Sequence, residues 1–355
     1  MKKTTLFLAF CLLANVFTLF VGCTTENQKG MSLSPSPPSQ ALTTSLPPQQ
    51  APLPPAPDKQ ELKQGYFQGE NGVQLFYRIV GSGKDTLVFV HGGPIGIEDA
   101  ALDYEIIAER GYTFISYDER GCGRSELVKD STKLTMSSFV ADLEALRKHF
   151  NINKLSLAGV SWGAGICSFY AYQFPNNVER MALISPMWTN NIDKKQREET
   201  FSSHLGEETN QKIRKIDSLW TISRDDELQG LWKSLDSLIA SAYVLVPSHF
   251  DSARGTIYTY SPLALKSIYS TLVYCYSSFG EIYDFRPMLK QINVPTIVIE
   301  GEKTLVPKEA TMQYVYNIKN SKMVWIPNAG HSFWLDQPKA AIDTLDNFLK
   351  STPRF

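Results

Sequence analysis

The sequence predicts an α/β fold: a mainly parallel sheet with helices on both faces and an inserted helical cap. Three observations predict it. Runs rich in β-branched and aromatic residues alternate with segments whose apolar residues recur at spacings of three and four, as strand followed by helix requires. The alternation stops between Pro186 and about Ser278 and then resumes. One junction of strand, turn and helix carries Gly159-Val160-Ser161-Trp162-Gly163, a pattern that lifts a serine above the sheet on a sharp bend.

Taken in order, strands are expected at 73–80, 86–90, 112–117, 154–158, 178–184, 296–300 and 322–326. Helices are expected at 98–110, 135–150, 162–174, 308–318 and 338–350. The segment 187–278 leans helical, is richer in charge and aromatics, and has no clear strand. It interrupts the alternation between two strands, so it reads as a cap inserted into a core made of 61–186 and 279–355.

Two N-terminal segments stand apart. Residues 1–23 place Lys2 and Lys3 before an apolar run of about 16 residues, short of the ~20 that a membrane span needs, and then Gly22-Cys23. The run reads as a secretory signal. Its ending resembles a bacterial lipoprotein signal, which implies lipidation at Cys23 and an exported protein anchored to a membrane of the cell envelope. Residues 24–60 hold nine of the chain's 20 prolines between Met31 and Gln60, among Ser, Thr, Gln and Ala. Such a stretch lacks the apolar surface to pack and reads as an extended, disordered tether. Beyond Cys23 only Cys122, Cys167 and Cys275 remain, an odd number that gives no disulfide framework. With 35 Lys+Arg against 36 Asp+Glu and no basic cluster, nucleic acid is not an expected partner.

The chemistry rests on Ser161. A serine hydroxyl attacks poorly at neutral pH unless a base removes its proton. Of the five histidines, His331 lies in a loop between the last strand and the last helix, on the same edge of the sheet as Ser161, and is the candidate base. Attack on a carbonyl creates an oxyanion that needs preorganised donors. The backbone N–H of Trp162, after the nucleophile, and of Gly93, in His91-Gly92-Gly93-Pro94 after the strand at 86–90, are the candidates, with Gly92 an alternative to Gly93. His91 is read as shaping that loop.

Together, His91-Gly92-Gly93-Pro94, Asp118-Glu119-Arg120-Gly121-Cys122-Gly123-Arg124-Ser125, Gly159-Val160-Ser161-Trp162-Gly163 and Gly330-His331-Ser332 resemble the proline iminopeptidase-like branch of the α/β hydrolases. The resemblance runs from about Gly65 to Pro186 and from about Tyr283 onward, and leaves out the cap. It implies the order serine, acid, histidine along the chain, and a site-floor role for the segment from Asp118 to Ser125. Two departures stand out. Ile95 follows Pro94 where the family has glycine. Thr304 stands where the family places its triad Asp, and a neutral side chain cannot stabilise an imidazolium. Glu300, at the strand end, is the first candidate for a substitute acid, because its extra methylene compensates for an earlier position. Glu302, Asp336 and a triad without an acid stay open.

The function expected is a serine hydrolase that cleaves an ester, amide or lactone carbonyl through an acyl-enzyme, with no metal or organic cofactor. Its substrate would be a small molecule or short peptide, as in a proline iminopeptidase-like aminopeptidase or an esterase. An aminopeptidase needs cap carboxylates for the substrate ammonium, and Glu198, Glu199, Glu207 and Glu208 are available. The competing class is a catalytically silent fold used as a surface binding protein. The sequence leaves the oligomeric state open.

Overall fold

The computed structural model describes residues 56–57, 60–97, 100–220, 222–253 and 260–351. Residues 1–23, expected to be the signal and including Cys23, and all of the expected tether but residues 56, 57 and 60 lie outside the described residues. Eight strands form one sheet in the order β1-β2-β4-β3-β5-β6-β7-β8. They are β1 (Leu62–Gln68), β2 (Gln74–Val80), β3 (Asp85–Val90), β4 (Tyr112–Tyr117), β5 (Leu155–Val160), β6 (Val178–Ile184), β7 (Thr296–Gly301) and β8 (Ser321–Ile326). β1 pairs with β2 and β2 with β4 antiparallel, and every other pair is parallel.

Alternation along each strand feeds two cores, because successive side chains point to opposite faces. In β3, Val88 and Val90 join the core that holds Phe139, Leu143, Trp162 and Tyr170. Leu87 and Phe89 join the opposite core with Tyr104, Ile107, Leu345 and Phe348. The helices are α1 (Ala101–Tyr104), α2 (Met136–His149), α3 (Trp162–Gln173), α4 (Asn191–Trp220), α5 (Leu228–Tyr243), α6 (Pro247–Ala253), α7 (Pro262–Ser277), α8 (Arg286–Leu289), α9 (Lys308–Asn317), α10 (Phe333–Asp336) and α11 (Pro338–Ser351). α4 to α7 fall between β6 and β7 and close around two apolar clusters of their own, one with Trp220 and Trp232, the other with Phe201 and Phe250.

Two elements differ from the sequence expectation. β1 was not expected: its sequence, LKQGYFQ, has no apolar alternation, and as an edge strand it is largely exposed. It is added by the Asn71-Gly72 turn, where both residues take left-handed φ (58° and 78°), as a tight hairpin demands. The helix expected at 98–110 is α-helical only over Ala101–Tyr104 and continues as a 3₁₀ helix over Glu105–Arg110. Glu105 there meets the fully buried Arg78 of β2 through two hydrogen bonds of 2.7 and 2.9 Å. The three cysteines are free and buried.

Candidate active site

Ser161 sits between β5 and α3 with φ 50° and ψ −109°, a conformation that an L-residue holds only under constraint. Its N–H donates to the Ile184 carbonyl at 2.9 Å, and its own carbonyl accepts from Ala164 and Met187. Both glycines of the motif are required by close approach. A Cβ on Gly159 would lie 2.5 Å from the Gly163 carbonyl oxygen, and one on Gly163 would strike the carbonyls of Val90 and His91. The first turn of α3 is thereby pressed against the end of β3.

That contact brings in the loop after β3. His91 is fully buried; its Nε2 accepts from the Glu119 N–H at 3.1 Å, so Nδ1 carries the proton and donates to the Gly92 carbonyl at 2.8 Å. Ile95 N–H bonds the same carbonyl. The Gly92–Gly93 peptide is trans, so fixing its carbonyl aims the Gly93 N–H the opposite way. Gly93 lines the cavity that contains Ser161, and Gly92 does not. The N–H of Trp162 opens α3, where no preceding turn can accept it. Ile95, in place of the family glycine, turns its side chain into the cap cluster around Trp220 and Trp232 and also lines the cavity.

His331 follows β8 and lines the same cavity as Ser161. Its Nδ1 is 3.3 Å from Glu300 Oε2, and both residues are buried. Glu300 is the next-to-last residue of β7 and has no exposure. Its other oxygen, Oε1, accepts from the Gly301 N–H at 3.0 Å and lies 3.0 Å from the Ser185 hydroxyl, whose single proton also faces the His331 carbonyl at 2.6 Å. The loop is pinned against that strand: a Cβ on Gly301 would collide with the carbonyls of Ala329 and Gly330. The other two acid candidates are elsewhere. Glu302 is only half-buried and Thr304 caps the N–H of Val306. Asp336 accepts from the N–H groups of Gly330 and Leu245 and so ties the histidine loop to the cap.

The segment from Asp118 to Ser125 lies against the loop after β3 and the start of α3. The Asp118 carboxylate accepts from Ile97 and Arg124 N–H groups at 2.7 and 2.8 Å. Glu119 Oε2 accepts from the Trp162 indole at 2.9 Å. Arg120, fully buried, bonds Asp142 through two nitrogens at 2.7 Å.

The cap supplies the cavity's far wall. Trp188, Trp232, Leu235, Tyr243 and Tyr276 line it, together with Arg197 of α4 and Asp236 of α5. The four glutamates singled out in the sequence do not. Glu199, Glu207 and Glu208 form exposed ion pairs with Lys195, Arg214 and Lys212, and Glu198 is buried beside Lys194. Arg197 and Asp236 were missed because helical periodicity does not say which face of a cap helix meets a cavity. Glu119 had a signal, its place in the quoted loop segment, but its bond to the Trp162 indole had none.

The family profile described as alpha/beta hydrolase fold matches residues 85–338. The chain belongs to the α/β hydrolase fold family. Within that family it is a serine hydrolase of the proline iminopeptidase-like kind. It is 25% identical over 297 residues to a proline iminopeptidase of Lactiplantibacillus plantarum, covering 79% of this chain and 98% of that protein. Against a proline iminopeptidase of Saccharolobus solfataricus it is 23% identical, over 81% of this chain and 92% of that one. Among solved structures, proline iminopeptidase from Mycobacterium smegmatis superposes with a TM-score of 0.63 at 18% identity, over 82% of this chain and 98% of that one. An esterase from Exiguobacterium antarcticum gives 0.60 at 20% identity, over 81% and 99%. At these identities the superpositions speak for the fold alone.

The surroundings of Glu300 give a sharp prediction. In Glu300→Gln, the Gly301 N–H on Oε1 holds the amide oxygen there and turns the NH₂ toward His331 Nδ1. That forces the proton onto Nε2, the wrong tautomer for taking one from a serine. Steady-state kinetics on a chromogenic ester should show kcat falling between about 10² and 10⁴, while Glu302→Gln stays near wild type. The reverse order would assign the acid to Glu302.

Proposed function

We propose that Ser161 is the nucleophile, His331 the general base and Glu300 the acid that orients it, with the N–H groups of Gly93 and Trp162 receiving the oxyanion. The observation that carries the proposal is a buried carboxylate on Nδ1 of a histidine that shares one cavity with a strained serine. In this reading His331 Nε2 takes the hydroxyl proton as Ser161 Oγ bonds the carbonyl carbon. The same proton then passes to the leaving group as the tetrahedral intermediate collapses to an acyl-enzyme. Water, activated by the same imidazole, releases the acid and restores Ser161. Glu300 orients the imidazole and stabilises the imidazolium.

The substrate we infer is an aminoacyl compound or short peptide. Two things support this: the relatives named as proline iminopeptidases, and Asp236, a carboxylate in the cavity wall that suits a substrate ammonium. The cavity, about 120 Å³, suits a small substrate. The aromatic wall of Trp188, Trp232 and Tyr276 favours a second reading, a small-molecule esterase.

Fluorophosphonate labelling tests the catalytic reading. Wild-type protein should be labelled and Ser161→Ala should not; an unlabelled wild type would favour the silent surface binding protein. Turnover of L-prolyl 4-nitroanilide against 4-nitrophenyl acetate then separates the substrate readings. Asp236→Asn should weaken the first, mainly through KM, far more than the second. Equal losses on both would favour the esterase.

We also propose that the chain is exported and held at a bacterial envelope membrane by lipid on Cys23, with residues 24–60 as tether. Fractionation of expressing bacteria should find wild type in the membrane fraction and Cys23→Ala released from it. Retention of Cys23→Ala would argue for a different anchor.

A further inference from the structure

The loop after β3 is held by the cap as well as by the core. Gly93 has φ 108°, a setting that glycine tolerates and that leaves the peptides on either side free to turn unless something holds them. The peptide before it is held through the Gly92 carbonyl, which accepts from His91 and from the Ile95 N–H. The peptide after it joins Pro94 and has no N–H, so the Gly93 carbonyl is its only hydrogen-bonding group. That carbonyl accepts from the Tyr276 hydroxyl at 3.2 Å. Tyr276 belongs to α7, 183 residues further along the chain.

Packing sets where this hydroxyl sits. The Tyr276 ring meets the Trp162 ring edge to face, with centres 5.0 Å apart, and lies 5.4 Å from that of Trp188. One turn and more toward its start, α7 is seated on the core: the Ser267 hydroxyl donates to the Gly121 carbonyl at 2.8 Å, and a Cβ on Gly121 would lie 2.4 Å from the Thr271 hydroxyl. Gly121 is in the segment whose Glu119 N–H bonds His91. The helix therefore reaches the loop directly at Gly93 and, through that segment, at His91. Burial pushes the Tyr276 phenol well above its ordinary value, so the hydroxyl keeps its proton at neutral pH and is able to donate it.

We propose that Tyr276 is a positioning residue for the oxyanion site: by holding the Gly93 carbonyl from the cap, it sets the rotation of Gly93 and with it the aim of the Gly93 N–H. The inference deepens the hydrolase reading and rests on it, because that N–H is the oxyanion donor proposed above. It makes full stabilisation of the transition state depend on α7 being seated on the core. A donor's aim matters most when charge moves onto the carbonyl oxygen and less when substrate first binds. Tyr276 therefore acts on kcat and leaves KM nearly unchanged.

Tyr276→Phe removes the hydroxyl and keeps the ring against Trp162 and Trp188. The test pairs 4-nitrophenyl acetate with its thiono isostere, in which sulfur, a poor acceptor of N–H bonds, replaces the carbonyl oxygen. Wild type should prefer the oxygen ester. In Tyr276→Phe, kcat on that ester should fall about tenfold or more with KM within about twofold, and the thionoester should lose much less, so that the preference shrinks. Equal losses on the two esters, a loss carried by KM, or no loss overturns the proposal; the KM result would make the hydroxyl a substrate contact. A Tyr276→Phe protein that circular dichroism finds unfolded at the assay temperature also overturns it, by giving the hydroxyl a role in folding. A wild type indifferent to sulfur would end the oxyanion assignment and this inference with it. A wild type that takes no fluorophosphonate and hydrolyses neither ester would fail the hydrolase reading itself, whereas a labelled, active wild type with an unchanged Tyr276→Phe would fail this inference alone.

Discussion

One backbone position governs the active end of this molecule. Ser161 is held in a conformation that costs of the order of 1–3 kcal/mol, and it persists because three neighbours over-determine it. β6 takes its N–H through Ile184, the start of α3 and Met187 share its carbonyl, and Gly163 lets α3 press onto β3. The same compression delivers two more parts of the site. It sets the Trp162 N–H at the open end of α3, and it stacks the elbow against the loop whose Gly92 carbonyl is fixed by His91. Glu119 closes the arrangement from below, bonding the Trp162 indole with its carboxylate and His91 with its backbone.

In the proposed triad the acid has moved along the chain while the fold stays the same. Glu300 is on the strand itself, earlier than the family position now occupied by Thr304, and its longer side chain reaches His331 from there. The move works because the histidine loop comes close: Gly301 lies against the carbonyls of Ala329 and Gly330, leaving no room for a side chain. Ser185, itself at a left-handed φ of 43°, donates to the His331 carbonyl at 2.6 Å and lies 3.0 Å from Glu300, which sets both residues against the end of β6. Asp336 anchors the same loop to Leu245 at the end of α5, and Ser332 bonds the Tyr243 carbonyl. Base, acid and cap therefore share one set of hydrogen bonds, and the cap residues facing the cavity are held in register with the imidazole.

Much of this was legible in the sequence, for reasons that can be named. Five of the seven strand runs, β3 to β7, are largely buried in the parallel part of the sheet, so their composition announces them. The elbow is legible because close backbone approach admits only glycine at 159 and 163. What escaped follows the opposite logic. β1 is an exposed edge strand with no apolar period to detect. The tightened helix at 105–110 carries Glu105, which pairs with Arg78, a residue far away along the chain. Arg197 and Asp236 face the cavity only because of how the cap helices are rotated on the core, a tertiary outcome that charge and periodicity do not encode. What favours Glu300 over Glu302 and Asp336 is its 3.3 Å approach to His331, a loop contact that residue type does not announce.

The central claim is that a covalent bond forms at Ser161 under the control of His331. Rapid-quench mass spectrometry of the protein turning over a slowly deacylated 4-nitrophenyl ester tests it most directly. The expected result is a single acyl mass on the peptide carrying Ser161, lost in His331→Ala; an acyl mass on a peptide without Ser161 would contradict the account.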